Sequence, residues 1–464
     1  MRVHSLSEPK ENSENSDPGL PGLIPRLVSL AELYDAGELE TQTLRYRSIE
    51  SGLFARFPER RGASPLFFST PGRTELCGNH TDHNGGMVLA AAVNLDMVAA
   101  ALPRTDTLVR IHSQGFGGFE VDIREQSPRP EEKASSQALV RGMAGGLSRL
   151  ARKESGVSGA VRGDGGSGRE DKLLCGFDAY IDSRIPPGSG LSSSAAFEVL
   201  VGSILAVFSG LKVSPAELAM VGRDAENRHF GKPSGLMDQT ACALGSLALI
   251  DFAGPGRAAI RLLDFDPGEF GYGMAIVSTG DSHADLTEEY ASIPREMKAI
   301  ALKLGRESLC GTTRNELREK ATELRTTCGD RAFLRAWHFA GETLRPQALA
   351  KAIESKDIET YFRIVKASGD SSYKYLQNIL PGAGSASQGL AFALALTEDF
   401  LEGKGACRVH GGGFAGTIQA YIPLNRTEEY HALMEKNFGT HSLYWIKTRR
   451  HGAICIDPPS RSSR

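Results

Sequence analysis

The chain has 464 residues, 41% of them hydrophobic and 23% charged, with a formal net charge of −3 at pH 7. That length fits two domains, and the apolar content supplies a core without metal or disulfide staples. A balance so close to neutrality gives no global attraction to nucleic acid or anionic lipid, so neither is expected as a partner. The seven cysteines (Cys77, Cys175, Cys242, Cys310, Cys328, Cys407 and Cys455) are scattered, odd in number and without CxxC spacing. They read as reduced, packed thiols rather than a zinc site or a disulfide framework.

Residues 1–20 are polar and contain proline, which predicts a floppy tail with no apolar core for a signal peptide. The next segments predict helices over 25–33 and 41–56, then short strands at 66–70, 87–93, 96–102, 107–113 and 118–123. The best candidate for a membrane span, Met87 to Leu102, carries Asn94 and Asp96, so a soluble, cytoplasmic protein is expected. A helix at 137–152 leads into a Gly/Ser-rich, charged stretch, 153–172, which reads as an inserted surface loop. A strand at 173–183 and helices at 195–209 and 215–229 follow. Beyond about residue 268 a strand (272–278) precedes helices at 287–304, 313–325, 330–343, 346–355, 358–367 and 385–401. Strands at 406–410, 415–422 and 442–448 and a helix at 426–437 close the chain. Strands and helices cluster without βαβ alternation, which predicts an α+β fold. The domains expected are 21–268 and 269–464.

Three polar constellations stand out. Pro186-Pro187-Gly188-Ser189-Gly190-Leu191-Ser192-Ser193-Ser194-Ala195-Ala196 is a glycine-rich turn running into serines and an apolar helix. Such a turn aims several amide N–H groups at one anion, and the helix N-terminus adds more; a plain serine-capped turn is the competing reading. The run from Pro71 to Gly86 packs Arg73, Glu75, Asn79, His80, Asp82 and His83 between apolar strands, a density that suits a ligand with many hydroxyls. Metal binding by His80 and His83 lacks a third ligand in a matching pattern. Asp224 to Gln239 takes an acidic helix end through a Gly/Pro turn to Asp238 at the start of another helix, where it acts as a hydrogen-bond acceptor or a cap. The Gly231-Lys232-Pro233-Ser234 run is not a Walker A loop, since Pro233 separates Lys from Ser. A fourth segment, Gly405 to Thr417, carries Gly411-Gly412-Gly413 at a strand end, which permits close backbone approach.

Together and in this order the segments resemble those of the GHMP kinases, and among them the galactokinases, over roughly residues 40 to 455. PGRTELCGNHTDHNGGMVL at 71–89 is similar to the galactokinase signature, PPGSGLSSSAA at 186–196 to the family's ATP-binding motif, and GGGFAG at 411–416 to its third motif. AENRHFGKPSGLMDQ at 225–239 resembles the segment that carries the catalytic aspartate. Glu289-Tyr290 with Arg295, and Gly452-Ala453, match weaker landmarks.

The resemblance implies a two-domain α+β fold with the active site in the cleft between the domains. It implies ATP and Mg²⁺ as cofactors and a small-molecule sugar as the other partner. Asp238 is then the catalytic base with Arg73 beside it. Pro187, Gly188, Ser189, Gly190, Leu191, Ser192, Ser193 and Ser194 hold ATP, while Ser194 and Glu226 hold the metal. Asn79, His80, Asp82, Gly235 and Tyr290 contact the sugar. The implied reaction is direct transfer from ATP to the anomeric hydroxyl of galactose. A kinase of another hexose, pentose or N-acetylhexosamine, a kinase of another small alcohol and a non-catalytic sugar-and-ATP sensor are the competing readings. Two positions and one segment depart from the family's pattern: Asn79 stands where Glu is usual, His83 where Tyr is usual, and Lys366-Ala367-Ser368-Gly369 where a Ser-His pair is usual. The Asn79 departure predicts a sugar preference less strict than for galactose alone.

Overall fold

The computed structural model describes residues 4–5, 24–27, 29–154, 174–232, 234–254, 258–280, 286–380, 388–414 and 416–457. The expected tail (1–20) and inserted loop (153–172) lie almost wholly outside those residues. The architecture is α+β, built on two sheets.

The first sheet holds β1 (His4–Ser5), β2 (Arg26–Leu27), β3 (Leu66–Cys77), β4 (Met87–Pro103), β5 (Leu108–Ser113), β6 (Gly117–Asp122) and β7 (Phe177–Ser183). It also holds β8 (Leu247–Asp251), β9 (Ala259–Leu263) and β14 (Ile454–Ile456). The second is four-stranded, in the order β11 (Ala406–His410), β12 (Thr417–Pro423), β10 (Tyr272–Ser278), β13 (Leu443–Ile446). The helices are α1 (Leu39–Arg56), α2 (Ser136–Glu154), α3 (Ser193–Phe208), α4 (Pro215–Ala225), α5 (Met237–Leu244) and α6 (Thr287–Lys303). They continue with α7 (Arg314–Glu319), α8 (Ala321–Cys328), α9 (Asp330–Glu342), α10 (Arg345–Glu354), α11 (Ile358–Ser371), α12 (Gly389–Leu401) and α13 (Thr427–Phe438). Among the described residues no helix is long and apolar enough to cross a membrane.

β4 organises the first sheet. Met87–Ala91 pair with β8 and Met97–Pro103 with β7, while β3 runs along the other edge. The two strands expected at 87–93 and 96–102 are therefore one. The polar pair that suggested a break is absorbed in place: the Asn94 side chain accepts from the Lys447 amide, and Asp96 is fully buried. Asp96 accepts from Tyr34 (2.6 Å), Ser69 (2.7 Å), Arg45 (2.6 Å) and Arg449 (3.1 Å). The alanine-rich stretch packs on both faces. Leu89, Ala91 and Val93 join the core under α3, and Val88 and Ala90 join the cluster formed with α5.

Other local expectations were revised by tertiary contacts. The helix expected at 25–33 is instead the two-residue strand β2, paired with β14, and a single 3₁₀ turn, Leu30–Glu32. The helix expected at 313–325 is split into α7 and α8, and that at 215–229 ends at Ala225 in a π turn, Glu226–Phe230. A second π turn, Ser372–Leu376, follows α11. π turns recur at functional sites because they push one residue out of helical register. Here the first presents Glu226 and the second delivers Asn378.

The second sheet packs α12 and α13 on one face through Leu390, Phe400, Tyr430 and Met434. Its other face sends Met274, Ile276 and Tyr421 into the same core as Leu76 and α11. The two sheets meet through that shared core, and the loops carrying the sequence motifs converge where they meet.

Candidate active site

Arg73 and Asp238 form the centre. Arg73 sits in β3, and its guanidinium donates to Asp238 Oδ1 through Nε at 2.7 Å, with a second nitrogen also at 2.7 Å. A third donor of the same side chain engages the Gly190 carbonyl. The Asp238 Oδ2 atom accepts from the Ser192 hydroxyl at 2.5 Å. Burial works against ionising this carboxyl, but Arg73, Lys232 and Ser192 outweigh it and hold Asp238 below the ordinary aspartate range. The low pKa thus comes from ion pairing rather than from helix amides alone, and Asp238 is more than a helix cap.

The serine-rich loop wraps over this pair. Gly188 (φ +72°), Gly190 (φ +70°) and Ser192 (φ +59°) all take left-handed backbone, which curls the chain between β7 and α3. Ser189 and Leu191 are buried anchors, while Pro187 and Gly188 are exposed at the tip. The Leu191 carbonyl accepts from the Arg73 amide at 3.0 Å, and a Cβ at Gly72 would lie 2.8 Å from that carbonyl oxygen. Strand and loop are therefore locked in register. Ser193 opens α3, so Ser192, Ser193 and Ser194 stand at a helix N-terminus, whose unpaired backbone N–H groups suit an anion.

The 79–84 loop closes the other side. Asp82 leans on Gly235: a Cβ there would lie 1.7 Å from Asp82 Oδ2. Its Oδ1 accepts from the His83 amide at 2.9 Å. Burial and the neighbouring charge of Asp238 raise the Asp82 carboxyl to about 6. The third motif holds the remaining polar groups. The carbonyls of Gly411, Gly412 and Gly413 accept from Asn79 Nδ2 (2.8 Å), His80 Nε2 (3.0 Å) and Tyr290 Oη (2.7 Å) in turn. Glycine is required here, since a Cβ at Gly412 would meet the Tyr290 ring at 2.4 Å and one at Gly413 the Asn378 carbonyl at 2.1 Å.

Asn79 is only 1% exposed, and its amide is taken up by protein. It donates to Glu75 as well as Gly411, and its Oδ1 accepts from Asn378 (2.9 Å) and Ser372 (3.3 Å). Beneath it the buried Glu75 pairs with Arg408 at 2.8 Å. His338 of α9 donates to the Asn79 carbonyl. Ser368, at the position of the usual Ser-His pair, donates instead to the buried Glu342.

Ser194 Oγ and Glu226 Oε1 lie 3.4 Å apart. A hydroxyl and a carboxylate suit Mg²⁺, which takes few protein ligands and keeps phosphate and water oxygens for the rest. Glu226 is also bound by Lys232 (2.9 Å), Ser234 (2.6 Å) and Gln239 (2.9 Å). Gln239 bridges it to Glu198, one turn beyond Ser194 and fully buried. Burial, reinforced by Glu226, pushes the Glu198 carboxyl well above the usual range. Sequence reading missed Ser192 as the partner of Asp238, and missed Glu198, Gln239, Lys232 and Asn378. Only the triple-serine run and the Gln beside Asp238 gave a local signal.

Two family descriptions match the sequence: "GHMP kinases N terminal domain" over residues 157–246 and "Galactokinase galactose-binding signature" over 55–103. The galactokinase of Glaesserella parasuis serovar 5 (strain SH0165) is 28% identical over 404 residues, covering 85% of this chain and 96% of that protein. The galactokinase of Lactobacillus helveticus is 30% identical over 384 residues, covering 81% of this chain and 89% of that one. The chain belongs to the galactokinase family. Among solved structures, Lactococcus lactis galactokinase complexed with galactose superposes with a TM-score of 0.68 at 24% identity, over 88% of this chain and 99% of that one. A mevalonate kinase matches at a TM-score of 0.52 and 15% identity, covering 83% of this chain and 100% of that one. The two-domain α+β fold is thus common to both, and this galactokinase-family member is a sugar kinase, a phosphotransferase with ATP as donor.

Proposed function

We propose that this galactokinase-family chain phosphorylates galactose at its anomeric oxygen, using Mg²⁺-bound ATP in a direct in-line transfer. The observation that carries the reading is the Arg73–Asp238 pair, wedged between the serine loop on one side and Asp82 on the other. Phosphoryl transfer through a loose transition state needs positioning and charge neutralisation more than covalent chemistry. The 187–194 loop positions the phosphates, with Ser194 and Glu226 as the protein ligands for the metal, which neutralises phosphate charge when bound. Asp238, kept ionised by Arg73, receives the sugar hydroxyl's proton late in the transfer, so a low pKa is compatible with its role. Arg73 holds that carboxylate in place.

On the sugar side Asn79, His80 and Tyr290 are tied to the 411–413 carbonyls, and the Asp82 carboxylate, beside Gly235, is the acceptor offered to a sugar hydroxyl. Asn79 then shapes the pocket by bracing the loop, and a direct contact with sugar would require it to give up protein hydrogen bonds. Domains of about 21–268 and 269–464 flank this cleft, except that the end of the second segment returns to the first sheet as β14, paired with β3 and β2; ATP as donor suits a cytoplasmic enzyme of carbohydrate metabolism. The test is coupled ADP release with Mg²⁺-ATP over galactose, its epimers, N-acetylgalactosamine and arabinose, with product position read by NMR. Release with galactose and a 1-phosphate product is the expected result. No sugar-dependent ADP with any of them would overturn the kinase reading and leave a sugar-and-ATP sensor.

A further inference from the structure

His410 closes β11 just before the glycine turn, and it is only 2% exposed. Its two ring nitrogens are both engaged, and the direction of each hydrogen bond can be deduced. Thr417 Oγ1 donates to the Ser189 carbonyl at 2.9 Å, and a carbonyl can only accept. The Thr417 hydroxyl proton is therefore committed, so at the 3.1 Å contact with His410 Nδ1 the ring must donate. His410 Nε2 is then left as an acceptor, and it meets the Thr74 hydroxyl at 2.9 Å. Thr74 in turn accepts from Gln419 Nε2 at 2.6 Å. One continuous chain runs from β12 through Thr74 of β3 and His410 to the phosphate loop. Burial, with Arg73 and Arg408 nearby, keeps the imidazole well below its ordinary pKa, so it stays in the single neutral tautomer that this chain requires.

The end of the chain matters. Ser189 is 2% exposed, and a Cβ at the neighbouring Gly190 (φ +70°) would lie 3.0 Å from His410 Nδ1. The Gly190 carbonyl is the one that engages Arg73. His410 thus braces Ser189 and Gly190, the two residues between the exposed Pro187–Gly188 tip and the buried Leu191.

We propose that His410 is a positioning residue of the nucleotide site, holding the Ser189–Gly190 turn in its phosphate-binding shape through Thr417. The proposal rests on the ATP-dependent reading above. It is tested by equilibrium binding of Mg²⁺-ADP and of a non-hydrolysable ATP analogue to the full chain, without sugar, alongside galactose binding. His410→Leu should weaken nucleotide binding about tenfold, the loss expected for one neutral hydrogen-bond link, and leave galactose binding within about twofold. Gln places a carbonyl oxygen and an amide N–H around one carbon, as the imidazole places its two nitrogens around Cε1. His410→Gln should therefore recover nucleotide affinity to within about threefold of the parent. Thr417→Val should match His410→Leu, and the double variant should be no worse than either. Parent-like nucleotide affinity in Thr417→Val, His410→Gln no better than His410→Leu, or additive losses would each overturn the proposal. Should His410→Leu not fold, Thr417→Val and His410→Gln decide the outcome. A parent that binds no nucleotide would overturn the kinase reading itself, whereas a parent that binds it with unaffected variants overturns only the role of His410.

Discussion

Replacing Gly235 by Ala tests the juxtaposition of the sugar loop and the base-bearing helix. The added Cβ would lie 1.7 Å from Asp82 Oδ2 and 2.5 Å from its Cγ, against about 3.3–3.6 Å for a relaxed carbon–oxygen contact. The carboxylate must therefore retreat by roughly 1.6–1.9 Å. Aspartate is too short to absorb that along its chain, and Oδ1 is already held by the His83 amide, so the whole group swings out of place. A hydrogen bond to a charged group contributes about 1.5–3 kcal/mol, and misplacement by about 1 Å can cost 10²-fold. The expected result is a sugar KM raised about 10- to 100-fold. The nucleotide KM should stay within about threefold, because Ser192, Asp238 and the loop before them are untouched. Sugar and ATP titrations by coupled ADP release, with a thermal midpoint to certify folding, measure both. In an Asp82→Ala background the same substitution should cost less than about threefold more, since nothing remains to displace. A sugar KM within threefold of the parent in a folded Gly235→Ala protein, or an equal loss for ATP, would refute the reasoning.

Asp238→Asn should lower kcat by about 10²–10⁴-fold while ADP binding changes less than about threefold, since Asn still accepts from Arg73 and Ser192 can reverse its hydroxyl; single-turnover phosphorylation and calorimetry separate the two. Because the Asp82 carboxyl titrates near 6, kcat/KM for the sugar should rise as pH increases through about 6 and then level off. That acidic limb should vanish in Asp82→Asn, and its persistence there would assign it to another group. Ser194→Ala and Glu226→Gln should each raise the Mg²⁺ concentration needed for half-maximal rate, and a metal titration identical to the parent's would remove these two residues from the metal site. Asp96→Ala should destabilise the fold by about 3–5 kcal/mol in urea unfolding, because Arg45 and Arg449 lose a fully buried counter-charge. Arg45 and Arg449 hold the Asp96 carboxyl down at about 2 against the pull of burial, so its stabilising contribution is complete above about pH 4. It fades as pH falls toward 2, a slope the variant should lack.

How far the chain explains itself depends on the range of the interaction. The serine loop was legible because left-handed backbone at Gly188 and Gly190 and helix initiation at Ser193 depend on residues a few positions apart. β10 and β11 lie at 272–278 and 406–410 as their apolar patterns predict, since a strand's faces alternate whatever surrounds it. The α+β class, the order of the motifs and the family they resemble followed from the same local information. Tertiary structure decided the rest. Asn94 and Asp96 read as a break in β4 until Arg45 and Arg449, from opposite ends of the chain, neutralised the aspartate. Asn79 reads in sequence as a sugar ligand, and no local signal shows that Asn378 and Ser372, from the second π turn and just beyond it, donate to its oxygen. The pairing of Arg73 with Asp238 joins residues 165 positions apart, and the Thr74–His410 contact spans 336. No window of sequence contains both partners. Which buried polar group satisfies which, and so which ones remain for substrate, is fixed only when the two sheets close around the loops between them.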